Sequence, residues 1–526
     1  MSISSDNQSD TTEFITEWPI GTSLELQESR KHNVKTMKLG KRCFPFKELD
    51  RVRGPNDNPE KKSLTRDHHV SLKNPQPDAE HLASFGIAHW WRKQPVSLKE
   101  GCITFSCSKN PNTMLHSISR LPIAKDFING EINRLTEKLN WTSTADVHAA
   151  LGSYQEKANL LPEAIENMKI AVEKSPDEDG KEYKWLLHRM VLQHQVKKDH
   201  DRALRQLAQI SENNSKLPAA QEVERVPFSS LSVEDFHNKY ACQSKPVIVT
   251  GLVQQMTAQP WTLQHVKDIA GDCSVVLKQR IPDSCEWARL EEHSRDTIGA
   301  YIDRVLNRAE TESYLFDWSL PINCNQLAQE LSIPKYFAND FLQRSSSGSL
   351  YRDSWPSLFI APPNVCSELH IDAFGSNFWM ALFTGRKRWT FFPPNDVALL
   401  YPSYESSMDP VFDVDLGNPD LELHPLLSVT HPIQCVLEEG ELLFVPAGCP
   451  HRVENLTTSL AISSNFVDMS NFTKVKSELE VQGYVDPRSA DLLSQFNSSS
   501  FNRKMDFKVK NVSFKEFKSL HYLCDN

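Results

Sequence analysis

The sequence predicts a multidomain α+β protein in which a helical region precedes a C-terminal antiparallel barrel of the jelly-roll, or double-stranded β-helix, kind. Three observations predict it. At 526 residues the chain exceeds one ordinary hydrophobic core. Between about Ala145 and Ile210, apolar and small residues recur at helical spacing. From Tyr351 to Val467, short β-branched and aromatic runs separated by glycine and proline take over.

The chain carries a formal charge of −10 and a pI of about 6.0, which gives it no general attraction for nucleic acid or an anionic membrane. No run of about 18 apolar residues occurs, so no membrane span is expected. Eleven cysteines are scattered without regular spacing and the start Met1–Asp10 is polar. Free thiols in a reducing, intracellular compartment, cytoplasm or nucleus, are therefore expected.

Residues 1–34, rich in Ser, Thr, Glu and Asp, read as disordered. Residues 35–121 open on the basic run Lys35, Lys38, Lys41 and Arg42, and carry Trp90 and Trp91, which argue for folded structure of no assignable type. His68, His69, His81, His89, Cys102 and Cys107 match no usual zinc spacing and read as ordinary packing and surface positions.

Residues 122–216 read as a helical domain. Pro122 suits a first turn, and Ile123, Phe127, Ile128, Ile132, Leu135 and Leu139 share a helical face. Leu151-Gly152, Ala164, Ala171 and Pro176 fall in the register of a tetratricopeptide (TPR) repeat, with Met190, Ala203, Leu207 and Ile210 as a poorer second match. Stacked helix pairs, roughly four to six helices, are expected there, serving as a spacer or as a peptide-binding groove. The polar stretch from Asn213 to Arg225 reads as a linker, residues 226–470 as the barrel domain, and residues 471–526 as a tail with amphipathic pieces at Phe472–Leu479 and Phe514–Leu520. The tail could form a homodimer or pack on its own barrel.

Within the barrel, Ser367-Glu368-Leu369-His370-Ile371-Asp372 puts an imidazole and a carboxylate two residues apart, on one face of an extended chain. His451 follows the apolar strand Gly440-Glu441-Leu442-Leu443-Phe444-Val445-Pro446 and the turn Pro446-Ala447-Gly448, and offers a third ligand. Two histidines and a carboxylate on one side of a metal suit a non-haem Fe(II) oxygenase. His424 and His431 compete for the third place, but each lies beside proline in a polar loop and reads as a loop histidine. After the apolar strand Asn377–Phe383 and the turn Thr384-Gly385, strand parity puts Lys387 with Trp389 and Phe391 on one face. A lysine directed into an aromatic interior needs an anion, and a dicarboxylate would supply it.

These segments, with Tyr314-Leu315-Phe316-Asp317 and Ile333-Pro334-Lys335-Tyr336-Phe337, resemble the Jumonji-C (cupin-8) family of Fe(II)- and 2-oxoglutarate-dependent oxygenases. The branch they resemble contains the lysyl 5-hydroxylase once called the phosphatidylserine receptor. The resemblance covers about Val226 to Val467. It implies that His370, Asp372 and His451 bind Fe(II), and that Lys387 pairs with the distal carboxylate of 2-oxoglutarate. It further implies that Ser367 and Tyr314 hydrogen-bond that carboxylate, and that Asn455 and Ser463 line the same pocket. Met380 departs from the pattern, because lysyl hydroxylases of this branch carry asparagine there.

The expected reaction consumes O₂ and 2-oxoglutarate and hydroxylates a protein side chain, lysyl or similar, giving succinate and CO₂. The alternatives are N-methyl-lysine demethylation and a non-catalytic interaction protein whose helical repeats bind a partner.

Overall fold

In the computed structural model the described residues are 122–519, apart from 176–179, 210–215, 283, 285 and 405–406, together with short strands between residues 27 and 105. The readings made above of residues 1–121, and of Pro176 and Ile210, lie outside them.

The helical region is a sequential stack: α1 (Pro122–Leu139), α2 (Ala145–Lys157), α3 (Leu161–Lys174) and α4 (Lys181–Leu207). Thr144 starts α2 by accepting a hydrogen bond from the Val147 amide, which satisfies one of the donors that a helix start leaves free. Gly152 lets α2 and α3 approach, since a Cβ there would lie 2.9 Å from the Ala164 carbonyl oxygen. Leu151, Ala164 and Ala171 are all buried in the stack. The second repeat is corrected: Met190, Ala203 and Leu207 sit on one continuous 27-residue helix rather than on a helix pair. Only Met190 of these is buried. The reason is the absence of a breaker, because from Lys181 to Leu207 no glycine or proline interrupts the run.

The barrel is built from β1 (Ser357–Ala361), β2 (Cys366–His370), β3 (Asn377–Thr384), β4 (Arg386–Phe391), β5 (Ile433–Glu438), β6 (Glu441–Val445), β7 (His451–Asn455) and β8 (Ser459–Phe466). One sheet runs β1-β8-β3-β6 and the facing sheet β2-β7-β4-β5, the alternation of a double-stranded β-helix. β1 and β3 are buried on both faces, as their near-continuous apolar runs require. β4 instead alternates exposed and buried through Arg386, Lys387, Arg388 and Trp389, which puts Lys387 inside.

Strands at Leu290–Thr297, Ser274–Arg280 and Ser313–Ser319 widen the first sheet beyond β1, and Val247–Thr250 and Glu224–Pro227 widen it beyond β6. The linker is also corrected. Gln221–Glu222 pairs parallel with β5, and Glu224–Pro227 pairs parallel with Val247–Thr250, so these residues close the edges of both sheets. Their polarity is that of edge strands facing solvent.

Between β4 and β5 the segment 393–432 folds into short helical turns and the two-stranded pair Pro402–Ser403 and Val411–Phe412. After β8, α5 (Phe472–Gln482) and α6 (Pro487–Asn497) pack Phe472, Val475, Leu479, Leu492 and Phe496 on Phe341, Leu342 and Phe374 of the same chain. The apolar face of the tail is therefore covered internally. No helix among the described residues is long and apolar enough to cross a membrane.

Candidate active site

His370 ends β2 and His451 opens β7, and the two are direct partners across the antiparallel pair. A register shift between Ser367 and His370 is what turns His370 inward. Without it His370 would share the face of Glu368, whose carboxylate pairs outside the barrel with Arg280 and Arg452. Asp372 lies beyond the strand end but keeps an extended backbone, φ −66° and ψ 143°, so the two-residue parity survives. The ligand atoms of His370, Asp372 and His451 all lie within 4.8 Å of one another, and all three side chains are buried.

Backbone carbonyls select the imidazole tautomers. Nδ1 of His370 donates to the Glu368 oxygen at 2.5 Å, and Nδ1 of His451 donates to the Cys449 oxygen at 3.0 Å. Each Nε2 keeps a free lone pair for a metal. Burial pulls the His370 pKa well below the ordinary histidine range, helped by the neighbouring His451, and pulls His451 down to about 4. Burial, with Asp317 nearby, pushes Asp372 up to about 7. Burial thus holds each group towards its uncharged form, and two neutral imidazoles beside one carboxylate are a donor set that fits Fe(II).

Lys387 is 0 % exposed. Its ammonium donates to Asn455 Oδ1 at 2.6 Å and to Tyr314 Oη at 3.2 Å. Asn455 is oriented in turn: its amide nitrogen donates to the Val365 carbonyl at 2.7 Å, and Ser459 Oγ donates to its oxygen at 2.7 Å. Burial pulls the Lys387 pKa down to about 7, with no anionic group opposing the shift. Ser463 is fully buried on β8 opposite Met380, and its hydroxyl has no hydrogen-bond partner among the described residues. An ammonium without an anion and a hydroxyl without a partner, on one barrel interior, fit a carboxylate-bearing cosubstrate.

The residues singled out in the sequence thus fall into two groups. His370, Asp372 and His451 form a cluster that could hold a metal ion, and Lys387, Tyr314 and Asn455 form a hydrogen-bonded set. Ser367 is buried and faces inward opposite Val453, but Lys387 does not donate to it. Met380 packs in the apolar interior with Phe378, Leu382, Trp389 and Leu443. His424 is a loop histidine set edge-on against Tyr401, and His431 pairs with Asp396 at 3.0 Å, so neither reaches the cluster.

Sequence reasoning missed Trp287. Its indole N–H donates to the Ile371 carbonyl at 2.9 Å, and its ring meets that of His370 edge-on at 4.3 Å. The signal was weak, a lone tryptophan in an irregular stretch beside proline and cysteine. Trp389, read as core, also stacks on His451 at 5.6 Å.

Residues 233–473 match the cupin-like domain family, cupin-8. The chain is 29 % identical over 250 residues to Lysine-specific demethylase JMJ21 of Arabidopsis thaliana, an alignment covering 46 % of this chain and 25 % of that protein. It is 25 % identical over 277 residues to the Bifunctional arginine demethylase and lysyl-hydroxylase psr-1 of Caenorhabditis elegans, covering 50 % and 65 %. It is also 31 % identical over 163 residues to 2-oxoglutarate and iron-dependent oxygenase JMJD4 of Mus musculus, covering 30 % and 37 %. The chain therefore spans from a quarter to just under two thirds of the length of these relatives.

Proposed function

Starting from residues 233–473 as a cupin-8, or Jumonji-C, domain, we propose that this chain is an Fe(II)- and 2-oxoglutarate-dependent dioxygenase that hydroxylates a protein side chain, lysyl or similar. The observation that carries the reading is Lys387, an ammonium buried without an anion in the same interior as the His-Asp-His cluster. A lone buried cation is costly and is retained where a ligand completes it.

Fe(II) held by His370, Asp372 and His451 would supply the redox chemistry that couples decarboxylation of 2-oxoglutarate to insertion of one oxygen atom into a C–H bond. The rest of the work falls to the chain. Lys387 binds the distal carboxylate by charge, Tyr314 and Ser463 offer hydroxyl donors to it, and Asn455 holds the ammonium in place. Trp389, Phe391 and Phe378 wall the interior with apolar surface that excludes water. Burial keeps both imidazoles neutral, and the carbonyls of Glu368 and Cys449 fix their tautomers and aim.

A second reading, N-methyl demethylation, is favoured by relatives named as lysine- and arginine-specific demethylases. Hydroxylation of an N-methyl carbon releases formaldehyde, whereas hydroxylation of a side-chain carbon leaves one added oxygen on the protein. Succinate release with Fe(II) is expected from the wild-type chain and lost in His370→Ala. Equal turnover in the two would sink the assignment. Mass spectrometry of a trapped substrate then separates a retained oxygen from a lost methyl.

A further inference from the structure

The helical region and the 393–432 segment are joined by contacts that continue to the metal-binding strand. From α4, Arg189 donates to the Tyr404 carbonyl at 2.8 Å while paired with Glu156 of α2 at 2.6 Å, and the Arg189 and Tyr404 side chains are buried. His200 Nδ1 donates to the Ala398 carbonyl at 2.8 Å, and its ring meets Tyr401 edge-on at 4.7 Å. Trp185 packs with Met408 of the segment and with Val481 of α5. On its other side the segment sets Leu400, Phe412, Val414 and Leu427 against Leu369 and Ile371, the residues that flank His370. Arg289 ties the same segment to the turn carrying Trp287 by donating to the Phe412 carbonyl at 2.8 Å. The Ile371 backbone thus lies between Trp287, which takes its carbonyl, and an apolar layer fastened to α4.

We infer that the helical region is a positioning element of the catalytic site, holding the 393–432 segment against Leu369 and Ile371 and thereby fixing the strand end that presents His370 and Asp372. The chemistry of the contacts favours this role. Arg189 and His200 donate to backbone carbonyls of the segment, so they hold its path whatever side chains it carries. The apolar packing then transmits that path to the strand, because a close-packed layer moves as a unit. The metal is the point where this positioning is read, so the inference rests on the function proposed above.

The test uses the full chain and Mn(II) as the probe. In Trp185→Ala/His200→Ala, amide hydrogen exchange is expected to accelerate in 393–432 and in 366–372, and the Mn(II) dissociation constant to rise several-fold. His200→Ala alone, which removes one hydrogen bond and ring contact from a helix that otherwise stays packed, is expected to show the same pattern at lower amplitude. Trp141→Ala, at an 82 % exposed side chain that makes none of these contacts, serves as the control and is expected to match wild type. Faster exchange confined to 393–432, with 366–372 and Mn(II) affinity unchanged, would overturn the inference, as would no change in either segment. His370→Ala separates this from the reading it rests on. If that variant keeps wild-type Mn(II) affinity, the metal site itself is wrong; if it loses Mn(II) while the helical variants do not, only the positioning role fails.

Discussion

The barrel interior and the seam between the helical region and the barrel each bury a cation, and they treat it in opposite ways. At the seam, Arg189 has a carboxylate, Glu156, and a backbone carbonyl, so its charge is met within the fold. In the barrel, Lys387 has, among the described residues, only the neutral oxygens of Asn455 and Tyr314. The first arrangement completes a structure. The second leaves the charge uncompensated, as the proposed carboxylate site requires, and that difference distinguishes the two buried cations more sharply than burial does.

Removing each charge tests that contrast. In Lys387→Met, 2-oxoglutarate-dependent succinate formation is expected to fall by at least about a hundredfold, the scale of a lost charge-assisted contact of roughly 3 kcal/mol. The same variant is expected to be more stable than wild type without ligand, by about 2 kcal/mol at neutral pH, since it replaces an uncompensated cation with an apolar chain. The gain follows from the depressed pKa of about 7. It is full at and below that pH, where folded and unfolded chains both carry the proton, and it fades as pH rises towards the ordinary lysine range. Arg189→Met should do the reverse, costing about 3 kcal/mol because the largely covered carboxylate of Glu156 loses its partner. Denaturant melts of both variants decide it, and a destabilised Lys387→Met would break the comparison.

Ligand binding carries the same signature in pH. A dicarboxylate raises the Lys387 pKa from its free value of about 7, so binding above that value takes up a proton and affinity falls by roughly tenfold per pH unit. Titration calorimetry in buffers of different ionisation enthalpy measures the uptake. A monocarboxylate 2-oxoacid should lack the slope, and an equal slope for both would remove Lys387 as the carboxylate partner. The smallest effect belongs to Ser463→Ala, where loss of one neutral hydroxyl is expected to raise the KM for 2-oxoglutarate by about fivefold, some 1 kcal/mol, with kcat little changed.

Much of the site was legible because its cues are local. His370 and Asp372 announce themselves by two-residue spacing, His451 by the strand and turn ahead of it, and Lys387 by strand parity with Trp389. Even so, parity placed His370 inside for an incomplete reason, since the register shift at Ser367 decides the face. Trp287 was invisible because its relevance depends on a hydrogen bond to Ile371, 84 residues away. The edge-strand residues up to Arg225 read as linker because an edge needs no apolar run, only a neighbour whose backbone is free to pair.

By itself, then, the sequence determined the chemistry this chain offers: the donor types, their spacing, and the periodicities that make one region helical and another a barrel. Those are properties of short stretches, governed by backbone geometry and the burial of apolar faces. The tertiary structure decided which donors meet, that Lys387 has no anion of its own, that α4 runs unbroken, and that its residues fasten the segment backing His370. Contacts between residues separated by two hundred positions depend on how whole elements pack, and a local pattern holds no record of that.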